Sequence, residues 1–344
     1  MIAPRVFSAY YELPIALECC GVLIHLVLQR DSSTGVNRRQ LKLKYALAAV
    51  LVLALCASLY VTTTRWTRGF RLSARNFFGV LRVEEHVAPS IVFIEGNTAH
   101  TLDGDPRYRE LINGTIEHGI QFLTAGRKRD TTTYYGPKSG GALALQAAGT
   151  QGPIKVGVLG LGTGTLAAYG RPGDQYTFYE INPLVVSLAT SQFSFIRDSR
   201  ANVGIVVGDG RLSLEREPTH QFDVVAIDAF SSDAIPTHLL TREAFAWYLR
   251  HLSPAGIIAV HVSNKYLDLV PVVISAAAYF NREALVIDSA RDNSRAIYPA
   301  TWVLVGDKRG SMSRLERSVM AKTSHRDGSL WTDDYSSVIR AFRW

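Results

Sequence analysis

Cysteine is nearly absent from the chain. The three present, Cys19, Cys20 and Cys56, all fall in apolar sequence near the N-terminus and form no CxxC pair. That excludes a disulfide scaffold and the cysteine-rich zinc modules. The nine histidines are scattered over 344 residues, so no metal site is expected. Internal repeats and low-complexity tracts are also missing. So is the interleaving of aromatic and basic residues that stacks nucleic-acid bases, and nucleic acid is not an expected partner. Acidic residues are scarce in the first eighty positions, which hold many Arg and Lys, although the formal charge of the whole is +7. Basic residues flanking apolar runs suit a membrane surface better than nucleic acid.

The apolar runs themselves lie in residues 1–75. LPIALECCGVLIHLVL, residues 13 to 28, is interrupted by Glu18 and His25 and reads as a packed membrane helix or an interfacial one. YALAAVLVLALCASLYVTT, residues 45 to 63, is uncharged and long enough for a hydrocarbon layer of about 30 Å. One or two membrane helices are therefore expected here. A cleavable signal peptide fits poorly, because the long run begins over forty residues in.

Residues 76–150 have a different texture. FFGVLRVEEH, SIVFIEGNTAH and ELINGTIEHGIQFL alternate apolar and polar residues between Pro89, Gly96 and Gly104, which predicts a small antiparallel β-subdomain. A polar connecting loop with paired tyrosines follows at 127 to 140, and a helix is expected from Ala142.

Residues 151–344 alternate strand and helix. Strands are predicted near 154–159, 175–180, 203–207, 222–228, 256–262, 283–288 and 301–306, with the clearest helices at 241–251 and 266–281. This pattern predicts a parallel, doubly wound α/β sheet that binds ligands beyond the carboxyl ends of its strands. IKVGVLGLGTGTLAAYGRPGDQYTFYE, from Ile154 to Glu180, is the most informative stretch. An apolar strand turns through Gly160, Gly162 and Gly164 and returns as a second strand ending on Glu180. Glycines let the backbone approach a ligand, a helix N-terminus offers free N–H groups, and an acid some twenty residues on suits ribose hydroxyls. The stretch reads as a nucleoside crevice; the plainer alternative is a tight turn with a solvated Glu180.

Further acids fall at strand ends. Asp209, with Gly210 in VVGDGR, could accept from an adenine amino group or simply cap a helix. Asp228 closes the apolar strand FDVVAID, where a carboxylate can take a proton from an amine or hold a cation. Asp233 lies in the loop SSDAIP, as a second substrate carboxylate or an ordinary loop acid. Tyr134 and Tyr135 can pack on a base or bond an amine, and Gln121 could reach a ligand from the hairpins. His118 and His261 read as structural. A nucleoside made in the cytosol places everything after Arg65 on the cytoplasmic side of the inner membrane. Charge does not decide this, because basic clusters stand on both sides of the run at 45 to 63.

VLGLGTGTLAAYGRPGDQYTFYEINP, VVGDGR and DVVAIDAFSSDAIPTHLLTREAF together resemble the spermidine synthase (polyamine aminopropyltransferase) family. RNFFGVLRV, TTYYGPKSG and WTDDYSSVI are similar to its membrane-fused bacterial branch, and the opening is similar to the last part of that branch's membrane region. An N-terminally shortened member is expected. The resemblance implies a Rossmann-like S-adenosylmethionine-dependent methyltransferase fold carrying a small N-terminal β-subdomain. It implies aminopropyl transfer from decarboxylated S-adenosylmethionine to a polyamine or related amine, releasing methylthioadenosine, without metal. Gly160, Gly162, Gly164, Glu180, Asp209, Gly210 and Gln121 would bind the nucleoside. Asp228 would be the base with Tyr134 beside it, and Asp233 and Tyr135 would hold substrate. Soluble members of the family form dimers, so a homodimer is a further expectation.

Some residues depart from the family pattern. Asp228 and Asp233 stand five apart rather than three, the acidic pair upstream of Tyr134-Tyr135-Gly136 is missing, and the glycine turn carries Thr163 and Thr165 without an aspartate. A methyltransferase using S-adenosylmethionine, and a non-catalytic membrane-tethered nucleoside- or polyamine-binding domain, therefore stay open. A dehydrogenase is disfavoured because the third glycine comes one residue early for G-x-G-x-x-G.

Overall fold

The computed structural model describes residues 12–30, 38–67, 70–87, 92–95, 98–101, 107–114, 116–230, 235–318 and 328–342. The chain divides into two compact units, Met1–Glu84 and Glu85–Trp344.

The first unit begins with two helices, α1 (Glu12–Arg30) and α2 (Arg38–Thr67). Runs of Ala and Leu favour this conformation. Both apolar stretches singled out in the sequence are thus helical. Among the described residues, however, no helix is long and apolar enough to cross a membrane. The expected membrane helices at 13–28 and 45–63 are not borne out. Glu18 and His25 interrupt α1, and α2 carries Arg38, Arg39, Lys42, Lys44 and Arg65 within its 30 residues. Both helices leave aliphatic side chains exposed, among them Leu23, Ile24, Val27, Leu51 and Leu53. An antiparallel hairpin follows, β1 (Leu72–Asn76) against β2 (Gly79–Val87), in the register Leu72↔Val83 to Asn76↔Gly79.

The second unit opens with two more antiparallel hairpins, as the alternating pattern predicts. They are β3 (Val92–Glu95) with β4 (Thr98–Thr101), and β5 (Arg107–Asn113) with β6 (Ile116–Phe122). The β5–β6 register shifts between Leu111 and Ile112, so that Glu117 stands opposite Ile112. A bulge of this kind re-aims side chains beyond it.

A seven-stranded sheet then forms from β7 (Lys155–Leu159), β8 (Gln175–Glu180), β9 (Asn202–Val207), β10 (Phe222–Ile227), β11 (Leu252–His261), β12 (Glu283–Ser289) and β13 (Ala300–Gly306). Its spatial order is β12-β13-β11-β10-β7-β8-β9. All seven strands lie where the apolar runs place them. Helices α3 (Gly140–Ala148), α4 (Pro183–Gln192), α5 (Gly210–Arg216), α6 (Arg242–His251), α7 (Val270–Tyr279) and α8 (Met312–Ser318) accompany it. Side-chain caps start several of them: Ser139 for α3, Asn182 for α4, Asp209 for α5 and Thr241 for α6. The main core packs Phe245, Tyr248, Val273 and Trp331 against β10, β11 and β13.

One expectation needs correcting. The sheet is mixed, because β13 runs antiparallel to both β11 and β12. A parallel partner would need a crossover of roughly a dozen residues or more. The segment from Ser289 to Ala300 is shorter and contains only one 3-10 turn, Asn293–Arg295, so the chain reverses. The five strands from β9 to β11 are parallel as expected. The result is the Rossmann-like, methyltransferase-type α/β fold.

Candidate functional site

The carboxyl ends of β7, β8 and β10 converge on the glycine turn. Gly160 N–H donates to Tyr179 O at 2.8 Å, and Asp228 N–H donates to Leu159 O at 2.8 Å. Gly160 has φ +100°, and a Cβ there would lie 2.3 Å from Asp228 O; Gly162, at φ +53°, would press on His118 O at 2.8 Å. No side chain fits either position, so the turn lies directly against β6 and the end of β10. Glu180 ties the turn down. Its Oε2 accepts from Leu161 N–H at 3.0 Å and its Oε1 from Asn182 N–H at 2.8 Å. Burial raises its pKa, and backbone donors from Asn182, Leu161 and Ile181 oppose the rise.

Beside the turn opens a cavity of about 460 Å³, lined by Glu117, Tyr134, Tyr135, Gly162, Asp228 and His261 among others. Asp228 is the organising group. Tyr135 O–H donates to Oδ2 at 2.7 Å, and His261 Nδ1 lies 2.7 Å from Oδ1. Burial, then the neighbouring Asp228 carboxylate, hold the Tyr135 phenol well above its ordinary pKa, so it remains a donor. His261 Nε2 stands 2.9 Å from Ser263 Oγ, and that oxygen accepts Thr301 N–H at 2.8 Å. In the neutral ring the serine proton then points to Nε2, and the imidazole proton sits on Nδ1, facing Asp228. The ring also stacks flat on Trp302, with centroids 4.5 Å apart at 7°.

The other expected site residues fall as follows. Tyr134 lines the cavity, its ring 5.3 Å from His261 and 5.7 Å from Tyr298, but the hydroxyl on Asp228 belongs to Tyr135. Both tyrosines line the same cavity. Gly164, at φ +83°, starts the 3-10 turn Thr165–Tyr169 and packs against Ile196. Asp209 caps α5 through Leu212 N–H at 3.0 Å, and its other oxygen meets His238 Nε2 at 3.1 Å. The His238 contact, despite some burial, keeps its pKa low. Gly210 is the first residue of α5, where a Cβ would strike Leu159 at 2.6 Å. Gln121 is spent on protein: its amide nitrogen donates to Lys128 O and Ser194 Oγ, and its oxygen accepts Ser194 N–H, each at 2.9 Å. Asp233 lies outside the described residues.

Sequence reasoning missed two groups. His261 reads from sequence as an ordinary strand-end residue, and only its sheet position beside β10 brings it to Asp228. Glu117 sits on β6 inside the cavity, with Tyr298 O–H donating to Oε2 at 3.0 Å. Burial, then repulsion from Glu110, push its pKa up to about 8.

No protein-family model matches the chain. A probable polyamine aminopropyl transferase of Bifidobacterium longum is 29% identical over 161 residues, covering 45% of this chain and 33% of that protein. A polyamine aminopropyltransferase of Vibrio vulnificus is 29% identical over 123 residues, covering 34% of this chain and 40% of that protein. The chain therefore spans less than half the length of these curated relatives. A probable spermidine synthase from Corynebacterium glutamicum superposes with a TM-score of 0.50 at 17% identity, over 76% of this chain and 97% of that one. The sequence relatives bear out the resemblance carried by the motifs, and the structural neighbour bears out the fold.

Proposed function

We propose that this chain transfers an aminopropyl group from decarboxylated S-adenosylmethionine to a polyamine or related amine. The observation that carries the reading is Asp228, a carboxylate lining the cavity beside the glycine turn and oriented by Tyr135 and His261. An amine arrives at neutral pH as an ammonium and has no lone pair to attack with. Asp228 takes its proton, and the cavity wall holds the freed nitrogen in place. The bound co-substrate supplies a carbon activated by a positively charged sulfur; the C–S bond breaks as the N–C bond forms, and methylthioadenosine leaves.

The residues around the turn suit the nucleoside. The Glu180 carboxylate accepts backbone N–H groups from Leu161, Asn182 and Ile181 and keeps remaining lone-pair capacity for a ribose hydroxyl. Gly160, Gly162 and Gly164 let the nucleoside approach the backbone, and Asp209 and Gly210 at the start of α5 border the base. No carboxylate interrupts the turn, and the Thr163 and Thr165 hydroxyls bond each other at 2.9 Å. That feature favours a second reading, methyl transfer from S-adenosylmethionine, which would release S-adenosylhomocysteine instead.

The substitution Asp228→Asn tests the assignment. Turnover should vanish while nucleoside affinity stays within a few-fold; undiminished turnover would remove Asp228 from the mechanism.

A further inference from the structure

A second cavity lies at the other end of the sheet from Asp228. It has a volume of about 320 Å³ and opens between the carboxyl end of α3 and the residues that lead into β7 and β8. Small-molecule sites typically span about 300–1,000 Å³, whereas a bridging water needs only about 10–15 Å³. Tyr176, the second residue of β8, lines this cavity and is 1% exposed. Its hydroxyl is buried and has no hydrogen-bond partner among the described residues. Burial holds the phenol above its ordinary pKa, so it stays a neutral donor. Such a donor is costly to leave unpaired unless something in the cavity accepts from it. The charged groups of the wall are already satisfied. Arg171 donates to Gly149 O at 2.6 Å and to Gly152 O at 2.7 Å, and it pairs with Asp174 at 3.0 Å. Thr150 Oγ1 accepts from Arg314 at 2.6 Å, and Tyr169 O–H donates to Tyr135 O at 2.5 Å. Leu145 and Ile154 supply aliphatic wall.

We propose that this cavity is a second small-molecule site, separate from the one at Asp228, for an uncharged, mostly apolar compound that carries one acceptor oxygen. The class of ligand follows from the wall. Arg171 and Asp174 neutralise each other, so neither calls for a charged partner. A polyamine finds no open carboxylate here, because Asp174 is held by Arg171 and by the backbone N–H groups of Ile154 and Arg171. Leu145, Ile154 and the tyrosine rings take up apolar surface, whose removal from water drives binding. Tyr176 adds direction, since its hydroxyl requires one oxygen such as that of a ketone, ether or alcohol.

Ligand-observed NMR titration of the full chain tests this with two probes of one shape, acetophenone and 2-phenylpropene. The first carries C=O where the second carries C=CH2. Both should bind the wild type. Tyr176→Phe should weaken acetophenone about 3- to 10-fold relative to 2-phenylpropene, the range of one hydrogen bond between uncharged groups. The same variant removes a hydroxyl that has no protein partner, so its melting temperature should equal or exceed that of the wild type, which also shows that it is folded. Asp228→Asn should leave both affinities within twofold, because the probes do not enter the cavity at Asp228. Failure of both probes to bind up to their solubility limits, or an affinity ratio unchanged in Tyr176→Phe, would overturn the proposal. So would a lowered melting temperature of Tyr176→Phe, which would mean that the hydroxyl is already partnered, or loss of both probes in Asp228→Asn.

Discussion

Asp228 has both oxygens engaged before any substrate arrives, and this sets what each neighbour contributes. Tyr135 and His261 each donate to one oxygen, fixing the plane of the carboxylate and leaving one lone pair per oxygen for the incoming ammonium. The two donors keep the carboxylate from rotating away. Losing the Tyr135 hydroxyl should therefore cost orientation. Tyr135→Phe is expected to lower turnover about 10- to 100-fold, as for a hydrogen bond to a charged group worth about 1.5–3 kcal/mol, with nucleoside affinity unchanged. Tyr134→Phe keeps the ring packing and should cost much less in turnover. Steady-state kinetics of the two variants side by side checks the assignment; a larger loss in Tyr134→Phe would return the catalytic role to Tyr134. Asp228 was legible in the sequence because an acid closing an apolar strand has few structural reasons to be there. Glu117 was not, because a Glu in an alternating hairpin normally faces water. Its hydrogen-bond partner Tyr298 lies 181 positions away in the chain.

At the scale of elements, the glycine turn works because the strands entering it are anchored at their far ends. Asp174, almost fully buried, accepts from Ile154 N–H just before β7 and from Arg171 N–H just before β8, and it pairs with the Arg171 guanidinium at 3.0 Å. Burial alone would raise its pKa, but Arg171 and the two backbone donors outweigh it and hold the pKa below the ordinary 3.8. A depressed folded-state pKa contributes stability that is present above the unfolded value and lost as pH falls through the folded one. Asp174→Asn should therefore be less stable than the wild type at neutral pH, and the gap should close as pH drops below about 4. Denaturant unfolding at several pH values measures it, and a gap that does not change with pH would contradict the linkage. The strands themselves were legible because buried parallel strands are continuous apolar runs with punctuation. Their directions were not: β13 has the same apolar texture whether it runs with β11 or against it, and the short link after Ser289 decides. The same limit applies to α1 and α2. An apolar run predicts a helix, while its interruptions and charged flanks govern whether that helix can span a membrane.

At the scale of the whole molecule, every group assigned to the chemistry lies in the second unit, Glu85–Trp344. The strand ends collect the glycine turn, Glu180 and Asp228, and β6 brings Glu117 to the same cavity. A glycine turn tied down by Glu180, next to a cavity lined by acids and tyrosines, suits the proposed transfer from a sulfonium nucleoside to a cationic amine. The most direct test offers the full chain decarboxylated S-adenosylmethionine and S-adenosylmethionine separately, each with and without 1,4-diaminobutane, and identifies the nucleoside released. The account predicts methylthioadenosine, formed only from the decarboxylated co-substrate and only when the amine is present. Release of S-adenosylhomocysteine from S-adenosylmethionine, with no methylthioadenosine from its decarboxylated counterpart, would contradict it.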